Sequence, residues 1–150
     1  MKTVNMRAFM PACAVKNEGI LREWTVCSYA GIERTKHDNV PYDKGSDVSI
    51  GNRHISIKAS SFTLMSGTRC EGLTDFDAIW ALYESKTHSN EFCYVTKDFT
   101  AYFMDIDEFK TFVYEFCHVD KDSTKNGGHK KIKCRSEDKK MLHWLEERAS

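Results

Sequence analysis

Asp47 and Lys58 flank a run in which polar and apolar residues alternate on either side of Gly51-Asn52-Arg53-His54. Alternation with a period of two marks a half-buried β-strand, and the glycine-asparagine centre marks a hairpin turn. With residues 51–54 as the loop, Ile50 opposes Ile55, Ser49 opposes Ser56, Val48 opposes Ile57 and Asp47 opposes Lys58. The last two Cβ atoms would then lie roughly 5 Å apart. A carboxylate beside an ammonium group suits metal-dependent hydrolysis of a phosphodiester. The carboxylate anchors Mg2+, a hard cation that prefers oxygen ligands, and the ammonium orients the attacking water or offsets charge growing on the phosphate. An exposed cross-strand ion pair is the structural alternative, worth about 0.2–1 kcal/mol. Hydrolysis needs at least one further acid.

A helix over residues 17–31 carries one candidate. Ile20, Trp24, Cys27 and Gly31 recur at helical spacing and are expected to face the core, with Asn17 as cap and Gly31 as terminator. Glu23 falls at the edge of this stripe, from which it can reach the end of a sheet. Glu18 belongs to the first turn, where an acid is favoured by the helix dipole alone.

The order is therefore a helix around Glu18 to Ala30, then Gly45-Ser46-Asp47-Val48, then Ile55-Ser56-Ile57-Lys58. Over the first half of the chain it resembles the PD-(D/E)XK nucleases, whose core is a helix with a glutamate, a strand beginning at the motif aspartate and a strand with an acid, any residue and a lysine. Two positions depart from that pattern: Ser46 stands where the family has proline, and Ser56 where it has the second acid. Some restriction enzymes of the family have serine there and take the missing carboxylate from a later segment, a role that Arg69-Cys70-Glu71 offers to fill. The resemblance implies a restriction-endonuclease-like core, a mixed central β-sheet flanked by α-helices in one α/β or α+β domain. It further implies Mg2+, with Mn2+ able to substitute, held by Asp47, Glu71 and Glu23. Lys58 would then act on the water or the transition state, Ser56 would mark the altered motif position, and Arg69 would contact phosphate or orient Glu71. A Type II restriction endonuclease acting on double-stranded DNA as a homodimer is the best analogy, since two strands call for two sites. A phage recombination nuclease, a Holliday junction resolvase and a homing endonuclease share the core. A catalytically inactive DNA-binding or regulatory module is the reading from another class.

The remaining pattern is coarser. Ser60–Met65 prolongs the second strand, Thr74 or Asp75 caps a helix through Tyr83, and Glu91–Thr96 with Thr100–Met104 forms an antiparallel hairpin. Asp105 or Asp107 opens a helix with the stripe Phe109, Phe112, Val113 and Phe116. Residues 120–131 read as a mobile basic loop, Lys131–Cys134 as a strand, and Ser136, Glu137 and Asp138 as the start of a last helix whose apolar side packs on its own core.

The chain has 150 residues, enough for one domain with a real core. Its 41% hydrophobic and 29% charged content excludes disorder. No apolar run approaches the roughly 20 residues of a membrane span, and the first ten residues lack a signal core, so an intracellular, cytoplasmic protein with no membrane partner is expected. The six cysteines read as reduced thiols, and a zinc site from Cys117, His118, His129 and Cys134 lacks any CxxC. Basic and acidic residues balance at 22 each, so DNA must be met by local patches. Lys44, Arg53 and His54 are placed around the proposed site, with Lys125, Lys130, Lys131 and Lys133 in the basic stretch.

Overall fold

The structure is a computed structural model that describes residues 1–10, 18–31, 48–64, 74–120 and 131–149, with backbone alone at 18–20. Its elements are β1 (Lys2–Asn5), a short 3-10 turn (Arg7–Phe9), α1 (Glu18–Tyr29), β2 (Val48–Ile50), β3 (Arg53–Ala59), β4 (Phe62–Leu64) and α2 (Phe76–Lys86). There follow β5 (Glu91–Val95), β6 (Thr100–Met104), α3 (Ile106–Phe116), β7 (Cys117–Asp120), β8 (Lys131–Cys134) and α4 (Lys139–Arg148). The content is mixed α/β. A five-stranded sheet runs β1-β6-β5-β3-β2, and a three-stranded antiparallel sheet runs β4-β8-β7. In the larger sheet only β3 and β5 are parallel, and α2 lies in the crossover that a parallel pair requires.

Alternation along the strands divides the core between the two faces of this sheet. Val48, Ile55, Cys93, Val95, Ala101 and Phe103 meet Val26 and Cys27 of α1 and Met6. Phe92, Tyr94, Tyr102 and Met104 point the other way. They pack on Trp80 of α2, the α3 stripe Phe109, Phe112, Val113 and Phe116, Met141 and Leu145 of α4, and Leu64, Ile132 and Cys134 of the smaller sheet. The apolar side of α4 is thus spent within its own domain. Asp75, Asp105 and Asp138 cap α2, α3 and α4, each carboxylate accepting a first-turn N–H, and Glu108 completes a capping box with Asp105.

The β2–β3 hairpin departs from the expected register. Val48 pairs with Ile55, Ser49 with His54 and Ile50 with Arg53, which leaves a two-residue loop of Gly51 and Asn52. The four-residue loop, and with it the opposition of Ile50 to Ile55, Ser49 to Ser56 and Val48 to Ile57, is not formed; the expected opposition of Asp47 to Lys58 falls on Asp47, outside the described residues. The shift is of two residues, so each side chain keeps its expected face. Gly51 has φ +56°, the conformation a type II′ turn requires at its first loop residue. Nothing lies within 4 Å of a Cβ built there, so Gly51→Ala meets backbone strain alone. It is expected to lower stability by about 1 kcal/mol, measured by urea denaturation.

Three further expectations are corrected. Ser60, with φ +54°, breaks the strand after Ala59, so Phe62–Leu64 joins the smaller sheet instead of extending β3. The buried side of α1 passes through Arg22, Thr25, Val26 and Cys27, while Trp24 is only half-buried. At these positions the Thr25 hydroxyl donates to the Leu21 carbonyl at 2.7 Å, and the Arg22 guanidinium lies 5.7 Å from the Phe99 ring centre. Finally, Asp120 and Lys131 are paired strand residues, so only 121–130 of the expected loop falls outside the described residues. β1 and β7 had no counterpart in the sequence pattern. No described helix is long and apolar enough to cross a membrane.

Candidate functional site

Lys58 sits near the C-terminal end of β3, level with Tyr94 on the parallel strand β5. It is half-buried, and its ammonium lies 5.9 Å from the centre of the Phe62 ring. Just beyond, the left-handed Ser60 turns its carbonyl to accept from the Tyr94 hydroxyl at 3.3 Å. Burial holds that hydroxyl above its ordinary range, opposed in part by the positive charge of Arg22, so Tyr94 acts as a neutral donor.

The N-terminal half of α1 reaches the same end of the sheet. Arg22 is 5% exposed and lies on Phe99, in the turn that follows β5, whereas Tyr29 at the other end of the helix packs on Phe103. Glu23, adjacent to Arg22, is half-buried. The helix covers the face opposite to that of Lys58. Crevices beyond the carboxyl ends of parallel strands are where open α/β sheets bind ligands.

The β5–β6 turn gives this end a fixed rim. The Thr96 hydroxyl donates to Asp98 and accepts from the Thr100 N–H at 3.1 Å. The hydroxyl bond, more than any other influence, holds the Asp98 carboxyl below its ordinary range. Glu137 accepts from the Lys97 N–H at 2.9 Å, which ties the start of α4 to the same turn.

The expected site residues are distributed as follows. Asp47, Glu71, Lys44, Arg69, Lys125 and Lys130 lie outside the described residues. Ser56 shares the face of Lys58 but is 1% exposed, packed level with Phe92. Arg53 and His54 do not surround Lys58, contrary to expectation. They begin β3, roughly 13–17 Å away at the ordinary rise per strand residue. There Arg53 makes a two-pronged bond to Glu91, Nε to Oε2 at 2.7 Å and Nη2 to Oε1 at 2.9 Å, and Ser49 Oγ lies 2.9 Å from His54 Nδ1. Lys133 is exposed on the outer face of the smaller sheet, in a row with Thr63 and His118, and Lys131 pairs with Asp120. Among the described residues no three His, Cys, Asp or Glu side chains gather as a metal site; two of the three expected ligands, Asp47 and Glu71, are not among those residues.

Asn90 fixes the hairpin register from outside the hairpin. Its side-chain amide donates to the Asn52 carbonyl at 2.6 Å, and its side-chain oxygen accepts from the His54 N–H at 2.9 Å. Asn90→Ala removes both bonds at an exposed position and is expected to cost about 1–2 kcal/mol. Faster hydrogen exchange at the His54 amide than in the wild type would check that the loss is local.

Arg22, Tyr94 and Ser60 are the residues that sequence reasoning missed. Tyr94 follows from the period of β5 once Lys58 is placed beside it. Arg22 gives no signal, because an arginine in a helix ordinarily faces water. Compared with family models, with curated proteins and with solved structures, the chain gives no match.

Proposed function

We propose that the protein is a Mg2+-dependent DNA endonuclease of the PD-(D/E)XK type. The observation that carries this reading is that Lys58, from one face of the sheet, and the N-terminal half of α1, from the other, both lie at the carboxyl end of the parallel strands, beside a strand, β2, that begins directly after Asp47 in the chain. Helix, aspartate-led strand and lysine-bearing strand follow in the order of that family's core, and helices lie on both faces of a mixed sheet.

In this reading Asp47 and Glu71 hold the metal ion, and Glu23 acts through water or a second ion. The ion supplies Lewis acidity and an acidified water at neutral pH. Lys58 orients that water or offsets the charge that develops on the phosphate. The half-buried setting of Lys58 strengthens its field, because water screens it less than at an open surface. In the same reading Lys133 and His118, exposed on the outer face of the smaller sheet, contact the DNA backbone. Double-strand cleavage calls for two such sites, hence a homodimer.

Incubation with long mixed-sequence duplex DNA and Mg2+, followed by sequencing of the ends, tests the reading. Cleavage that chelation stops supports it. Discrete ends then favour a restriction or homing enzyme, and preference for branched DNA favours a resolvase. Salt-sensitive DNA binding without any cleavage would replace it with an inactive DNA-binding module.

A further inference from the structure

Cys117 and Cys134 have no part in the proposed hydrolysis. They are directly opposed partners in the antiparallel pair β7–β8. Opposed residues of an antiparallel pair have Cα atoms about 4.5–5.5 Å apart, within the span that a disulfide bridges. Both are free thiols. Cys134 is buried and Cys117 is partly buried, so Cys117 is the more accessible residue of the two. The thiols are hydrogen-bonded to each other, which with burial holds the Cys117 thiol well above its ordinary range. Cys27 and Cys93, the other described cysteines, lie buried in the core on the far side of the larger sheet.

We propose that Cys117 and Cys134 form an oxidisable dithiol, closed to a cross-strand disulfide by a hydroperoxide. The Cys117 thiolate attacks the peroxide oxygen, the O–O bond breaks, and a sulfenic acid and water form after one proton transfer. The Cys134 sulfur then attacks the Cys117 sulfur and displaces a second water. Two thiols and one hydrogen peroxide thus give one disulfide and two waters, the sulfurs losing two electrons that the peroxide gains. Because the thiolate is the reactive form, the hydrogen-bonded and partly buried pair reacts slowly. The bridge ties the last residue of β8 to the first of β7, closing the chain segment that joins the two strands, and a dithiol reductant reopens it.

The full-length protein is treated with hydrogen peroxide, quenched, alkylated, digested and mapped by mass spectrometry with and without reduction. A linked Cys117–Cys134 peptide that reduction separates, with Cys27 and Cys93 alkylated as thiols, is the expected result. In Cys134→Ser the resolving sulfur is gone, and dimedone is expected to trap the sulfenic acid at Cys117. Should that buried substitution prevent folding, the wild-type map decides by itself. Cys117 recovered as a thiol, as a sulfinic acid, or linked to any other cysteine overturns the proposal. DNA cleavage does not enter the readout, so the proposal stands or falls apart from the nuclease reading.

Discussion

Asp47→Ala is expected to abolish Mg2+-dependent cleavage of plasmid DNA, with a loss of about 10³-fold or more, because the ion loses the carboxylate that fixes it. Lys58→Ala is expected to lower the rate by about 10²–10³-fold, the scale of removing one well-placed group that stabilises the developing charge. The two losses differ in form. Excess Mg2+ should restore part of the activity of Asp47→Ala by mass action and none of that of Lys58→Ala. Both variants should bind duplex DNA as the wild type does, since neither removes a residue assigned to backbone contact. Nicking time courses across a Mg2+ titration, with affinity measured in parallel, give all four quantities. Wild-type rates in Asp47→Ala would end the metal-site reading, while undiminished cleavage by Lys58→Ala would return Lys58 to a structural role beside Phe62.

Phe109→Ala is expected to be the most damaging of the substitutions to stability. The ring is 1% exposed and lies parallel to Phe92, 4.3 Å between centres at an interplanar angle of 4°. Trp80, Phe62 and Phe112 surround it at 6.0, 6.2 and 6.4 Å. Elements from both sheets and from α2 and α3 therefore meet at this one side chain, and none can close the cavity without moving the others. Truncation of a buried phenylalanine costs about 3–5 kcal/mol, a large part of the roughly 5–15 kcal/mol that holds a domain folded. A fall in Tm of roughly 6–20 °C is expected, read by calorimetry or circular dichroism. A fall of a degree or two would mean that the core at this point relaxes freely.

Of the expected metal ligands, Glu23 is the one among the described residues. Glu23 sits at the edge of the buried side of α1, as helical spacing indicated, although the centre of that side is Arg22 and Val26 instead of Trp24. Spacing gives the wheel, but hydrophobicity misplaced its centre, because a threonine bonded to its own helix and an arginine lying on Phe99 can be buried as well as a tryptophan. Lys58 falls on the face its alternation specified, and Arg53 and His54, close to it in sequence, are separated from it by the extended rise of β3.

What the sequence determined by itself is local: the strand and helix periods, the short polar segments that open α2, α3 and α4, within which the structure selects Asp75, Asp105 and Asp138 as caps, the β5–β6 hairpin and the phenylalanine stripe of α3. Each depends on a few neighbouring residues and on backbone geometry that repeats. What only the tertiary structure decided is which segments pair and where they stop. Asn90, far along the chain from Asn52, selects the hairpin register, and the left-handed Ser60 sends Phe62 to another sheet, where Cys134 is its partner. Such choices rest on hydrogen bonds and ring contacts between residues distant in sequence, and a pattern of period two is equally satisfied by every register two residues apart.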